Sequence, residues 1–175
     1  MTDRVVIRPL AADDLAAYRA LRLAALEESP TSFSASPEEE ALLSGGEIAA
    51  RAVPEPPGIV FGGFADGNLV GMATYIPSNR AKMRHKAVMA AVYVAPEWRS
   101  ARLGRRLVEA VVAHAARQRV ILQCTVTAHN GSARRLYHAL GFVAYGLERH
   151  SLLVDGEFLD EELLALDLRN RTDAP

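Results

Sequence analysis

The residues best placed for chemistry lie in Val92-Tyr-Val-Ala-Pro-Glu-Trp-Arg-Ser-Ala-Arg-Leu-Gly-Arg-Arg-Leu107. An apolar, β-branched run stops at a proline, crosses a short arginine-rich turn and continues as an amphipathic helix. The first amides of a helix have no intrahelical partner, and the helix dipole adds partial positive charge where they point. Arg99, Arg102, Arg105 and Arg106 crowd the same turn and offer charge-assisted bonds to a phosphate. The residues alone leave two readings open: a phosphate or pyrophosphate cradle, or an ordinary strand, loop and helix with a solvated arginine face. No Gly-Lys-Ser/Thr follows the turn, and the three-glycine dinucleotide fingerprint is absent. Both absences point away from P-loop and nicotinamide or flavin enzymes.

The elements that must position this turn read as one mixed α/β domain over residues 3–168, with a frayed tail over 169–175. Arg4 to Pro9 is an opening strand. Asp13 or Asp14 caps a helix to Glu28 that places Leu15, Tyr18, Leu21 and Ala25 on one face. Pro37 opens a second helix through Glu38, Glu39 and Glu40 towards Arg51. Strands Ile59 to Ala65 and Leu69 to Ile76 are joined by Asp66-Gly67-Asn68, a hairpin signature. After a basic loop, strand Ala87 to Val94 feeds the arginine turn. Leu103, Leu107, Val108, Val111, Val112 and Ala115 then give a helix that packs on a sheet. Strand Val120 to Thr127 completes a right-handed parallel unit. A short helix runs from Gly131 to Leu140, and two closing strands flank Asp155-Gly156.

At 175 residues, with 50% hydrophobic and 23% charged, the composition is that of a soluble globular protein. A net charge of −1 and a pI near 6.5 argue against nucleic-acid or acidic-membrane partners. No run is long enough to span a membrane and no signal-peptide core opens the chain, so a cytoplasmic location is expected. The single cysteine, Cys124, sits in an apolar run and reads as a buried strand thiol. His85, His114, His129, His138 and His150 show no metal-ligand spacing. Glu38 to Glu40 read as a solvated first helical turn.

The order of elements, together with two motifs, resembles the GNAT family of acetyl-CoA-dependent N-acetyltransferases. That family's pyrophosphate loop has the form Arg/Gln-x-x-Gly-x-Gly/Ala, matched here by Arg99-Ser-Ala-Arg-Leu-Gly104. Its Asn-x-x-Ala-x-x-x-Tyr-x-x-x-Gly-Phe segment is similar to Asn130 through Phe142. The resemblance implies a mostly antiparallel sheet with a parallel, splayed central strand pair, flanked by helices.

It also implies roles. Val92, Tyr93 and Val94 would pair with the pantetheine arm of acetyl-CoA through their backbone groups. Arg99 and the turn residues Ser100, Ala101, Arg102, Leu103, Gly104 and Arg105 would hold the pyrophosphate, chiefly by their amides. Asn130 would bond the cofactor arm, besides capping its helix. Tyr137, without the motif a core-edge aromatic, would protonate the departing thiolate. Free thiol and phenol have pKa values of about 8.5 and about 10, so the pairing is chemically sound. A backbone amide of the splayed strand would steady the oxyanion. No metal is required.

The sequence departs from the family pattern at two points. Arg102 replaces the loop's first glycine and serves there if its φ stays negative. The strand Ala87-Val-Met-Ala-Ala-Val92 carries no ionisable base. A water relayed to Glu28, Tyr75 or His85, or an amine arriving neutral, are the alternatives. The acceptor implied is a small-molecule primary amine; a protein N-terminus or lysine, or a non-catalytic acyl-CoA-binding module, are the competing readings. Glu27, Glu28 or the Glu38–Glu40 triplet would draw in a cationic amine. A homodimer through the closing strands is a family-level expectation.

Overall fold

The computed structural model describes residues 5–170, apart from the side chains of Ser100 and Ala101. Arg4, where the opening strand was expected to start, residue 3, the expected domain bound, and residues 171–175 of the expected tail lie outside the described residues. The elements are β1 (Val5–Pro9), α1 (Leu15–Glu28), α2 (Pro37–Ala41), α3 (Gly45–Ala52), β2 (Ile59–Ala65), β3 (Asn68–Pro77), β4 (Lys86–Val94), α4 (Leu103–Gln118), β5 (Ile121–Thr127), α5 (Gly131–Ala139), β6 (Val143–Val154) and β7 (Glu157–Asp167). They form one seven-stranded sheet in the order β1-β2-β3-β4-β5-β7-β6. The expected fold class stands.

Helices cover both faces. On one, Leu103, Leu107, Val108 and Val111 of α4 pack with Phe61, Ala73, Tyr75 and Leu122 of the sheet. On the other, Tyr18, Leu21 and Ala25 of α1 and Ile48 of α3 pack with Val60, Phe64, Met72 and Tyr93. Helix α4 comes unusually close to the sheet at Gly71, where a Cβ would stand 2.9 Å from Leu107 Cδ1 and 3.1 Å from the Tyr93 carbonyl oxygen. That close seat fixes the height of α4, and therefore of the turn that precedes it. No described helix is long and apolar enough to cross a membrane.

The region of the second helix differs from expectation. Two short helices replace one, because the pattern Ser-x-x-Glu occurs twice. Ser36 and Glu39 cap α2 reciprocally, and Ser44 and Glu47 do the same for α3. Asp14 also departs from its expected role as a side-chain cap. Its carboxylate instead accepts two bonds from Arg8, at 2.7 and 2.9 Å, and one from the Ala11 amide. This ties the start of α1 to β1.

Candidate active site

The central feature is a parting of strands. β4 and β5 are the parallel pair, and they are in register only at Lys86–Ile121, Ala87–Leu122 and Val88–Gln123. Beyond these residues they separate. A bulge on the other edge of β4 contributes to the parting: Ala91 and Val92 oppose the single residue Ala73, between the pairs Ala90–Thr74 and Tyr93–Met72. Ala91 takes a left-handed φ of +51° there. The result is a groove of about 1120 Å³ that runs past the splay to the start of α4.

At one end of the groove is the arginine turn. Pro96–Ala101 form a 3-10 turn, and α4 begins with no side chain capping its amides. The first bond within the helix comes from the Arg106 amide to the Arg102 carbonyl, at 3.2 Å. The amides of Leu103, Gly104 and Arg105 therefore precede the helical ladder. A Cβ at Gly104 would meet only Val94 Cγ2, at an ordinary 3.6 Å. The protein's own packing does not demand glycine at that position, and the vacant space opens on the groove. Arg99, Arg102 and Arg105 all line it. Uncapped amides, an open glycine and the guanidiniums of Arg102 and Arg105 fit a diphosphate.

Arg102 does not keep the negative φ expected of it. Its φ of +54° and ψ of +20° lie in the left-handed region that glycine enters most readily. The turn keeps its shape, and the arginine bears the steric cost. Arg102→Gly is expected to be more stable than Arg102→Ala by about 1 kcal/mol, since both remove the guanidinium and only glycine relieves the strain. Urea unfolding of the two variants checks this; equal midpoints would contradict it.

Arg99 plays a part that its motif position does not reveal. It donates Nε to the Val94 carbonyl at 3.0 Å and both terminal nitrogens to Glu28, at 3.1 and 2.6 Å. Its guanidinium carbon lies 5.7 Å from the Tyr93 ring centroid. The end of α1 is thus tied to the turn. Arg99, then Ser29, hold the Glu28 carboxyl below its ordinary value. A depressed carboxyl adds stability above its unfolded pKa and loses it as pH falls. The gap in melting temperature between the wild type and Glu28→Gln is accordingly expected to narrow as pH falls below about 4.5. A gap that stays constant with pH would contradict the pairing.

None of the three relay candidates is well placed as a base. Glu28 is engaged by Arg99. Burial pushes the Tyr75 phenol up, and its ring is edge-on to His114 at 4.8 Å. His85 is exposed in the turn before β4 and is not among the groove residues. The carboxylates on the groove wall are instead Glu55 and Glu161. Glu161, half-buried on β7, accepts a 2.6 Å bond from Ser151 Oγ.

At the splay sit Tyr137 and Cys124, both buried and both lining the groove. Tyr137 comes from α5, whose start is fixed by Asn130 Oδ1 accepting from the Ala133 amide at 3.1 Å. Asn130 Nδ2 faces Ser32 Oγ at 3.5 Å. The Tyr137 ring is wedged against Phe142, 5.8 Å between centroids. Desolvation first, and the Cys124 thiol second, raise the Tyr137 phenol well above its ordinary value. Burial likewise pushes the Cys124 thiol up to about 12. Val92 is half-buried and Tyr93 and Val94 are buried along the same wall. Val92, Tyr93, Val94, Arg99, Arg102, Gly104, Arg105, Asn130 and Tyr137 line the groove, whereas the expected Leu103 turns its side chain fully into the core, and Trp98 packs partly buried on that core.

A family model described as the acetyltransferase (GNAT) family matches residues 19–142. The chain belongs to the GNAT acetyltransferases. No curated protein sequence matches this acetyltransferase. Its fold is similar to a GNAT-family acetyltransferase of Streptococcus pneumoniae, with a TM-score of 0.81 and 23% identity over 94% of this chain and 99% of that one. It is also similar to yncA of Salmonella typhimurium, solved with its cofactor acetyl-CoA, with a TM-score of 0.82 and 21% identity over 98% and 97% of the two chains. A ribosomal-protein-alanine N-acetyltransferase of Brucella melitensis gives a TM-score of 0.77 and 24% identity over 93% and 99%. At these identities the likenesses establish the fold.

Proposed function

We propose that the protein transfers the acetyl group of acetyl-CoA to a primary amine of a small molecule, by direct attack, with Tyr137 as general acid. The observation that carries this reading is the continuity of one groove. Its turn end offers uncapped amides, and its splay offers Tyr137. Acetyl-CoA supplies the activated acyl group and a thiol leaving group.

The chain's own residues do the rest. The amides from Ser100 to Arg105, with Arg102 and Arg105, bind the diphosphate, and Arg99, bonded to Val94 and Glu28, holds the turn in place. Val92, Tyr93 and Val94 align the arm by backbone bonds, and Asn130 keeps Nδ2 for it while Oδ1 caps α5. A β4 amide beside the bulge at Ala91 steadies the oxyanion. Tyr137 holds its proton firmly and passes it to the nascent thiolate. Burial disfavours a thiolate as it disfavours a phenolate, so the shared surroundings raise both partners of the transfer. With no base on β4, the acceptor amine enters neutral.

The left-handed Arg102 leaves the start of α4 uncapped and so supports cofactor binding, which a non-catalytic binding module would share. The similarity to a ribosomal-protein-alanine N-acetyltransferase keeps a protein acceptor as the second reading. A cytoplasmic location accords with the lone buried Cys124. A homodimer through the closing strands is supported by Val143, Tyr145 and Leu147, each more than half exposed on edge strand β6. Calorimetric titration with acetyl-CoA and with CoA tests the cofactor half of the reading. Micromolar binding is expected, and no binding at millimolar ligand would overturn it.

A further inference from the structure

A short run of side chains leads from the splayed strand to a charge cluster that the transfer step does not use. The Phe33 ring lies 6.4 Å from that of Tyr93 on β4. The Arg22 guanidinium carbon lies 5.0 Å from the Phe33 centroid. Arg22 Nε and Arg51 Nη1 both donate to one oxygen, Glu40 Oε2, at 3.4 and 3.0 Å.

Glu40 was expected on a solvated helical turn, yet its side chain is fully buried. A carboxylate withdrawn from water needs compensation, which explains one arginine beside it. Two arginines overcompensate: two guanidiniums against one carboxylate leave a surplus positive charge. The cluster is also incomplete, since Arg22 Nη1 is buried without an acceptor and Glu40 Oε1 without a donor. Arg51 is 49% exposed.

The orientation of these groups decides what a ligand meets. Arg22 and Arg51 line the groove and Glu40 does not. The hydroxyl groups of Tyr18 and Ser34 belong to residues on the same wall. The carboxylates elsewhere on the groove are Glu55, on the loop after α3, and Glu161, across on β7. Of the Glu38–Glu40 triplet expected to draw in a cationic amine, Glu40 is buried and Glu39 is used in capping α2, while Glu38 is exposed.

We infer that Arg22 and Arg51 form an anion subsite at the acceptor end of the groove, so that the preferred acceptor is a small primary amine bearing a carboxylate. Glu40 positions the two guanidiniums, and Arg51, being exposed, makes the principal contact. This rests on the acetyl-transfer reading above and specifies its substrate class.

The test compares initial rates of thiol release with matched sets of amines: an α-amino acid, its carboxamide, and the amine lacking the carboxyl group. Rates are referred to the free-base fraction of each, because the three ammonium groups differ in acidity, the carboxamide's being the most acidic and the plain amine's the least. The wild type is expected to favour the carboxylate member in kcat/KM by about tenfold or more, the worth of one charge-assisted bond. Arg51→Ala is expected to shrink that ratio towards one, and Arg51→Lys to retain part of it. Should Arg51→Ala fail to fold, the wild-type ratio and Arg51→Lys decide the matter. Equal use of carboxylate and carboxamide by the wild type, or a ratio unmoved in a folded Arg51→Ala, would overturn the subsite while leaving acetyl transfer intact. If no amine is acetylated although acetyl-CoA binds, the acetyl-transfer reading itself fails and the subsite falls with it.

Discussion

Tyr137→Phe is expected to lower kcat about a hundredfold while leaving acetyl-CoA affinity within about threefold, the usual scale for losing a positioned general acid. The substitution removes one oxygen and keeps the ring that packs against Phe142. The phenol's shift comes from desolvation and Cys124, with no hydrogen bond contributing, so its loss leaves no described group unpaired. Stability should therefore change little, and melting curves would register any larger structural effect. Single-turnover rates with acetyl-CoA and a reactive amine, beside calorimetric affinities, make the comparison. A variant with undiminished turnover would remove Tyr137 from the chemistry. A variant that loses binding and turnover together would make it a packing residue.

Gly104→Ala is expected to separate folding from cofactor binding. Alanine is the better helix former by up to about 1 kcal/mol, and Gly104 lies in the first turn of α4. The added Cβ would meet only Val94 Cγ2 at 3.6 Å, so the protein accommodates it. Gly104 nevertheless lines the groove, and the methyl group enters the space from which a diphosphate would approach the amides. Affinity for acetyl-CoA and for CoA should fall about tenfold or more, roughly 1.4 kcal/mol, with melting temperature equal or higher. Unchanged affinity would move the diphosphate away from this turn. A loss of stability would mean that the glycine serves packing.

Where local rules decide the outcome, the sequence was a sufficient guide. The Asp66-Gly67 and Asp155-Gly156 turns took positive φ at both positions, and the strands around them followed. The apolar face of α4, and Asn130 at the start of α5, were equally plain. The misreadings concern groups whose fate depends on distant partners. Glu40 belongs to an acidic triplet that looks solvated, and only the approach of Arg22 and Arg51 from two other helices buries it. Glu28 and Arg99 are 71 residues apart, and no local pattern announces their pairing. The division of the second helix was in principle legible, since each half begins with Ser-x-x-Glu. Arg102 shows a different effect: the turn's geometry prevailed over the residue's preference, and the arginine took a glycine's conformation.

The account stands or falls on the appearance of an acetylated amine. Purified protein incubated with acetyl-CoA and a panel of primary amines, including free amino acids, should release thiol in step with an N-acetyl product identified by mass spectrometry. Both signals should require the amine and should drop together in Tyr137→Phe. Tight acetyl-CoA binding with no acetylated product from any amine would contradict the central claim and leave a binding protein on an acetyltransferase fold.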